Sequence, residues 1–350
     1  VKKKLINMQL EQQPKTHNQH TTNFLIVGQG LAGSLLAWEL HQKGFSVAVV
    51  DEGLPHTSSK IAAGMFNPIN TKRFTVSASA EQSITEALLV YQSIEKELHI
   101  DIIHHQNIYN VFGNNKEVND YSAKLDHPFF KQYTNENPIP LAHIQHPFGA
   151  FEVGLSGWID IHTMLASIRY FVASKYILLE EVFDYTLLKQ TAQGWKYKHI
   201  EAEHIVFCEG FKGNNNPFFT QLHIIPCKGD VLEFEAPLLT LTKVVKKGIY
   251  IVSLGNGKFK CGSTYKWENN DATPLAQDKE ELTQKIAEVI TVPFTVTAHY
   301  AAIRPTTKTR ETIITKHAIF PNMYSLNGLG TKGVINGVKC VKEFLHIMMK

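Results

Sequence analysis

Two apolar runs separated by a glycine-rich loop and a helical stretch stand near the start of the chain. Phe24-Leu25-Ile26-Val27 leads directly into Gly28-Gln29-Gly30-Leu31-Ala32-Gly33. Leu31, Leu35, Trp38 and Leu40 then recur as packing positions, and Val47-Ala48-Val49-Val50 ends on Asp51. The pattern predicts a buried strand, a tight loop, a helix that exits at Gly44, and a second buried strand. Each glycine has a physical task in such a unit. Gly28 turns the chain, Gly30 lets backbone N–H groups approach a pyrophosphate, and Gly33 lets the helix pack against the strand. The helix N-terminus favours phosphate charge. Asp51, 18 residues beyond Gly33, is placed to accept hydrogen bonds from a ribose diol. The unit reads as a dinucleotide site and leaves the choice between nicotinamide and flavin to the rest of the chain.

Further along, Ile84, Leu88, Tyr91, Ile94 and Leu98 fall at helical spacing, so 79–98 reads as an amphipathic helix. Residues 108–112 read as a strand, and the proline-rich stretch 127–149 as irregular connection. Gly157-Trp158-Ile159 leads into a helix capped by Asp160, with Ile161, Leu165, Ile168 and Phe171 on one face. Strands are expected at 177–182, 185–188, 195–200 and 205–208. Later ones fall at 231–234, 249–253, 259–262 and 294–300, with a hairpin turn at Gly255-Asn256-Gly257. A last helix starts near Val334. Nucleotide-domain elements thus return after two β-rich insertions, an organisation of flavoenzymes.

Bulk properties narrow the field less. The chain has 350 residues, 43% of them hydrophobic and 19% charged, with a formal net charge of +3, enough for a large core and two structural domains. That charge is too mild to argue for nucleic acid by itself. Residues 1–21 read as a flexible polar tail. No apolar run reaches the ~18 residues of a membrane span, so no membrane contact is expected and the location is expected to be cytoplasmic. The four cysteines lie far apart with no C-x-x-C pair, as buried reduced thiols do. His104-His105 and His143-x-x-His146 lack a third ligand, so no metal is expected. The Lys243–Lys247 cluster reads as a solvated edge.

Taken together the motifs resemble the D-amino-acid oxidase (DAO) superfamily of FAD-dependent oxidoreductases. Those motifs are the first loop with Asp51, the Ser59-x-x-Ala62-Ala63-Gly64-Met65 segment, the Gly157-Trp158 helix start and the strand ending at Gly210. They continue with Lys228-Gly229-Asp230, where the family often has Arg-Gly-Gln, and the hairpin from Tyr250 to Tyr265. Ile303-Arg304-Pro305 and Gly328-Leu329-Gly330-Thr331-Lys332-Gly333 complete the set. The order of the motifs carries the likeness over nearly the whole chain from residue 22.

The resemblance implies an α/β fold with an α+β cap, a Rossmann-like FAD-binding domain of the glutathione-reductase type with an antiparallel-sheet substrate domain inserted. Residues 22–70, 150–225 and 300–350 are assigned to the FAD domain, and 71–149 and 226–299 to the cap. It implies that Gly28, Gly30, Leu31, Ala32, Gly33, Asp51 and Glu52 hold FAD, with Ser58, Ser59, Ala63, Gly64 and Met65. Gly210, and Gly328, Gly330, Thr331, Lys332, Gly333 and Val334, complete that set. It also implies that Arg304 grips a substrate carboxylate, that Tyr250 orients the substrate and that Tyr265 lies near the flavin ring. A planar guanidinium suits a carboxylate through two parallel hydrogen bonds. Some relatives carry FAD on a cysteine after the arginine. Residues 305–314 have none, so FAD is expected to be non-covalent. Glu209 is expected near the adenosine or in solvent.

The implied chemistry is oxidation of a C–N bond in an amino acid or carboxylate-bearing secondary amine, by hydride transfer to flavin N5 and hydrolysis of the imine. Two alternatives stand beside it. One is a stand-alone oxidase of carboxymethylaminomethyl-uridine in tRNA. The other is a flavin-binding protein without amine turnover.

Overall fold

The computed structural model describes residues 20–267 and 271–349. The elements that position the site are, in chain order, β1 (His20–Val27), α1 (Leu31–Gln42), β2 (Val47–Val50), α2 (Ser58–Ile61), β3 (Met65–Phe66), α3 (Ala80–Leu98), β4 (Ile108–Val111), β5 (Ala150–Val153) and β6 (Gly157–Ile159). They continue with α4 (Ile161–Lys175), β7 (Ile177–Leu179), β8 (Leu188–Thr191), β9 (Gly194–Tyr197), β10 (Ile200–Phe207) and β11 (Ile225–Glu235). Then come β12 (Val244–Lys247), β13 (Ile249–Gly255), β14 (Lys258–Gly262), α5 (Ala276–Ala287), β15 (Thr295–Thr306), β16 (Ile313–Lys316), β17 (Met323–Asn327) and α6 (Gly333–Met348).

The first sheet runs β7-β2-β1-β10-β9-β8, and β17 pairs with the second half of β10. Strands β7, β2, β1, β10 and β17 are mutually parallel. Both faces are covered, which is why β1, β2 and the end of β10 read as unbroken apolar runs. Helices α1, α3, α4 and α6 bury Leu35, Trp38, Tyr91, Leu165 and Phe344 against one face. Phe183, Trp195, Phe207 and Phe219 fill the other.

The second sheet runs β15-β11-β14-β13-β12-β4-β5, ending on the short strand Thr134–Asn135. Its pairs are antiparallel except β4–β12, which is parallel and joins the two inserted segments. Helix α5 packs on one side through Leu282 and Ile286. The sheet takes in β5 at 150–153 and follows β15 through Thr306, so its ends run a few residues past the segment boundaries expected from the sequence. Residues 20 and 21 belong to β1 rather than to a tail, and residues 1–19 of that expected tail lie outside the described residues.

Several local expectations need correction. Residues 185–187 form a 3-10 turn, because Asp184 accepts a hydrogen bond from the Thr186 N–H at 2.9 Å. The expected strand at 195–200 is broken by a hairpin turn at Lys198, which adopts φ 51°. Gly157–Ile159 is a strand paired on both sides before the helix begins. Asp160 does cap that helix, accepting from Thr163 N at 3.0 Å. In α3 the buried stripe is Ile84, Ala87, Val90, Tyr91 and Ile94, and Leu88 and Leu98 sit at its margin.

Candidate active site

Parallel register gathers the glycine loops. Val27 lies opposite Val50 and Phe207, and Phe207 opposite Ser325. The residues that follow these strands therefore emerge side by side at their carboxyl ends: Gly28, Asp51, Glu209-Gly210 and Gly328. In open α/β sheets this end is where nucleotides bind. Gly28 has φ 94°, and a Cβ there would lie 2.5 Å from the Cys208 carbonyl oxygen. A Cβ on Gly33 would lie 1.9 Å from the Gly28 carbonyl oxygen, so α1 meets the loop only as glycine. At Gly30 the close neighbour is Ser59, whose Oγ accepts from Leu31 N at 3.0 Å. A Cβ on Gly333 would sit 3.1 Å from Leu31 Cδ2, which brings the last glycine loop against the first. Ala32 and Val334 are buried there, and the Val334 carbonyl accepts from the Tyr91 hydroxyl at 2.6 Å. Thr331 and Lys332 are exposed beside it. Ser58 opens α2, Ala63 is partly buried, Gly64 passes against the Ile159 backbone, and Met65 pairs with Trp158.

Asp51 Oδ2 accepts from Gln29 N at 2.7 Å, and Oδ1 from Gly53 N at 2.9 Å and Arg169 Nη1 at 3.0 Å. A carboxylate has about four acceptor sites, so Oδ2 keeps one for a ligand hydroxyl. Arg169 also donates to Gln29 Oε1 at 2.8 Å, which braces loop, strand end and helix α4 together. Glu52 is ion-paired with Lys212. Glu209 points neither to solvent nor into open space: it accepts from the Tyr185 hydroxyl at 2.5 Å and Asn216 Nδ2 at 2.8 Å. Burial raises its carboxyl above the usual range against those two hydrogen bonds. A Cβ at Gly210 or Gly330 would meet nothing within 4 Å. A carboxylate with spare capacity, a glycine-lined helix start and open space beside these glycines fit an FAD.

The second sheet supplies the opposite wall. Side chains alternate along a strand, so Cys227, Gly229 and Val231 on β11 share one face with Tyr300, Ala302 and Arg304 on β15. Register carries that face across Gly262 and Tyr250 to Lys246. Arg304 Nη2 donates to Ser263 Oγ at 2.6 Å, and Nη1 to the Thr264 carbonyl at 3.3 Å. The guanidinium lies over Gly229, where a Cβ would come within 1.9 Å of Nη2. Its carbon is 4.6 Å from the centre of the Tyr265 ring, a cation–π contact. Among the described residues no carboxylate pairs with it. The Tyr250 hydroxyl sits over Gly262, where a Cβ would be 2.8 Å away, and burial pushes its pKa well up. The structure thus brings Arg304, Tyr250 and Tyr265 into one group. Ile61 of α2 packs on Val231 and Ala302, so the nucleotide half abuts this face.

A family model described as DAO, FAD dependent oxidoreductase, matches residues 23–340. The chain belongs to this family. Solved structures agree in fold. Glycine oxidase from Geobacillus kaustophilus superposes with a TM-score of 0.76 at 21% identity, covering 92% of this chain and 93% of that one. Iminodiacetate oxidase from Chelativorans sp. gives 0.76 at 16% identity, covering 93% and 95%. A reduced L-α-glycerophosphate oxidase from Mycoplasma pneumoniae, solved with FAD bound, gives 0.74 at 15% identity and covers 95% of each chain. The protein is therefore an FAD-dependent oxidoreductase of the DAO family with the corresponding mixed α/β fold. Among its described residues no helix is long and apolar enough to cross a membrane.

Several residues of this DAO-family site escape a local reading. The Lys243–Lys247 stretch is not a solvated edge: β12 is an interior strand between β4 and β13. Lys243 pairs with Glu152 at 2.6 Å, Lys247 donates to the Glu288 carbonyl at 3.0 Å, and Lys246 turns onto the Arg304 face. Arg169, Gln29 and Ser263 also matter, and their partners are distant in sequence. All four cysteines are buried and unbridged. His104 stacks on Trp158 at 3.9 Å, and burial lowers its pKa. A cavity of about 720 Å³ is lined by Ile61, His56, Lys60, Trp158, Glu233, Lys260 and Tyr300; it reaches the Arg304 face of β15 through Tyr300 but not Arg304, Tyr250 or Tyr265 themselves.

Proposed function

We propose that this protein oxidises the C–N bond of an amino acid or a carboxylate-bearing secondary amine, with Arg304 as the carboxylate anchor. The observation that carries the reading is a guanidinium on the inner face of the second sheet, held by neutral acceptors and by Tyr265 and left without a carboxylate partner among the described residues. When bound, FAD supplies the acceptor for the hydride lost from the substrate carbon. The chain's own part is positioning. Arg304 fixes the carboxylate. Tyr250, its pKa raised, stays protonated at neutral pH and offers a hydroxyl donor. Tyr265 limits where the guanidinium can move. No side-chain base is required if the amine arrives neutral, and water hydrolyses the resulting imine. The residues at the strand ends hold FAD by non-covalent contacts, since no cysteine follows Arg304 within 305–314.

The test is anaerobic titration of the yellow holoenzyme with a panel of amino acids and N-alkyl glycines. Bleaching by at least one carboxylated amine, lost in Arg304→Gln, is the expected result. Flavin that no such amine reduces, although dithionite does, removes the reading and leaves a flavin-binding protein without amine turnover. Acid precipitation should release the FAD into the supernatant.

A further inference from the structure

We propose that the amine oxidised at this site carries a second anionic group, and that Lys246 and Lys72 receive it while Arg304 holds the carboxylate. The inference rests on the C–N oxidation reading above and narrows its substrate class.

Three cations meet at this face. Lys246 pairs in register with Tyr250, so its side chain leaves β12 on the same face as Tyr250 and Arg304. Its ammonium donates to Thr71 Oγ1 at 2.5 Å, and Thr71 precedes Lys72 in the chain. Lys72 Nζ lies 5.8 Å from the centre of the Tyr265 ring, and Arg304 Cζ lies 4.6 Å from the same point. The two cations are therefore held within roughly 10 Å of each other, about one Debye length at 0.1 M salt. Burial, and then Lys72 and Lys332, bring Lys246 down to about 8.

None of these three cations has a carboxylate partner among the described residues, whereas several other lysines of this sheet do. Lys243 pairs with Glu152, and Lys228 on the opposite face pairs with Asp278 and Asp230. Collecting like charges without a counter-ion is unfavourable, and a bound anion relieves it. One carboxylate satisfies Arg304. The lysines exceed that need, and they stand a short carbon chain away from it. A small amine with a carboxylate at one end and a carboxylate or phosphate at the other matches the arrangement.

The test uses holoenzyme and two readouts. Succinate and malonate are titrated against propionate and acetate, and binding is followed through the flavin absorption band. The dianions should bind at least tenfold tighter, and Lys246→Gln and the exposed-site variant Lys72→Gln should each bring the ratio towards one. Anaerobic reduction by iminodiacetate, aspartate and O-phosphoserine should need at least tenfold lower concentrations than reduction by sarcosine, alanine and serine. The two phosphate and carboxylate arms distinguish which second anion is preferred. Monoanionic amines that reduce the flavin as readily as dianionic ones overturn this inference and leave C–N oxidation intact. If no carboxylated amine of either kind reduces it, both fall. The inference is also overturned if Lys246→Gln shifts the flavin midpoint potential with the binding ratio unchanged, because the cations then serve the cofactor. It is overturned again if only tRNA bearing carboxymethylaminomethyl-uridine is oxidised.

Discussion

Gly229→Ala offers a direct test of Arg304, because it moves the guanidinium without touching its charge. A Cβ at position 229 would lie 1.9 Å from Nη2, 2.3 Å from Cζ and 2.4 Å from Nη1. Ordinary heavy-atom contact is roughly 3.5 Å, so the fork must retreat by about 1.5 Å. The obstruction is the end of a flexible side chain, and the strand backbone at Gly229 does not need positive φ. Alanine is therefore tolerated there and even favoured by ~0.5–1 kcal/mol of backbone entropy. The fold and FAD content should be retained. The retreat breaks the 2.6 Å bond to Ser263, a charge-assisted contact worth about 1.5–3 kcal/mol. A displacement of about 1 Å in a positioning group costs on the order of 100-fold in rate. Stopped-flow reduction under anaerobic conditions reads the limiting rate and the substrate Kd. Their ratio should fall about 100-fold, or ~2.7 kcal/mol. A ratio within threefold of the parent, in a variant with full FAD, would falsify the assignment of Arg304 as anchor.

Gly33→Ala places its Cβ 1.9 Å from the Gly28 carbonyl oxygen, a backbone atom that cannot swing aside. The purified variant should show a lower flavin-to-protein absorbance ratio, and a fully yellow, equally stable variant would contradict the close approach of α1 to the loop. Asp278 is fully buried between Lys228 and Lys266, and although burial works to raise its pKa, the hydrogen bonds from Lys266 and Lys228 hold it below the usual value. A lowered folded pKa contributes stability above the unfolded value of about 3.9 and loses it as pH falls through the folded one. Asp278→Asn should therefore cost about 3–5 kcal/mol near neutral pH by urea unfolding, and flatten the loss of Tm below roughly pH 4. Lys246 faces Thr71, Tyr250, Lys72 and Lys332 and is held near 8. Its charged form is lost above that value, so succinate binding should weaken from about pH 8 upward, and a flat profile to pH 10 would exclude Lys246 from the anion site.

How much of this was legible in the sequence follows the range of the interactions. The first loop announces itself because Gly28 and Gly33 serve the loop's own backbone or the strand end beside it, whereas the approach of Gly30 to Ser59 has no local signal. Asp160 was readable as a cap for the same reason, since it bonds Thr163. The strand expected at 185–188 failed on a local competitor, the Asp184 side chain, which offers the backbone a turn instead. The lysine stretch failed for the opposite reason. Nothing near residues 243–247 shows that Ile108-Tyr109-Asn110 will pair with Val244-Val245-Lys246 in parallel. A charge run that resembles an edge strand becomes an interior one only after that crossover. Arg169 is hidden in the same way, 118 residues from Asp51. The likeness to the DAO family supplied Arg304, but the seat beneath its guanidinium at Gly229 exists only once β11 and β15 pair.

The period of two along β11 and β15 explains how one sheet keeps cations in two different states. On the α5 side, Lys228 lies 3.2 Å from Asp278 and 3.6 Å from Asp230, and Asp230 also meets His299 at 2.9 Å and accepts from the Thr264 hydroxyl at 3.0 Å. That network is closed: every buried charge has an opposite partner, as burial demands. One residue further along each strand, on the other face, Arg304 and its lysine neighbours have none among the described residues. A protein that neutralises Lys228 so thoroughly has the acids to do the same across the sheet. Leaving the second face positive, against the nucleotide half, is the observation on which the proposal of an anionic substrate rests.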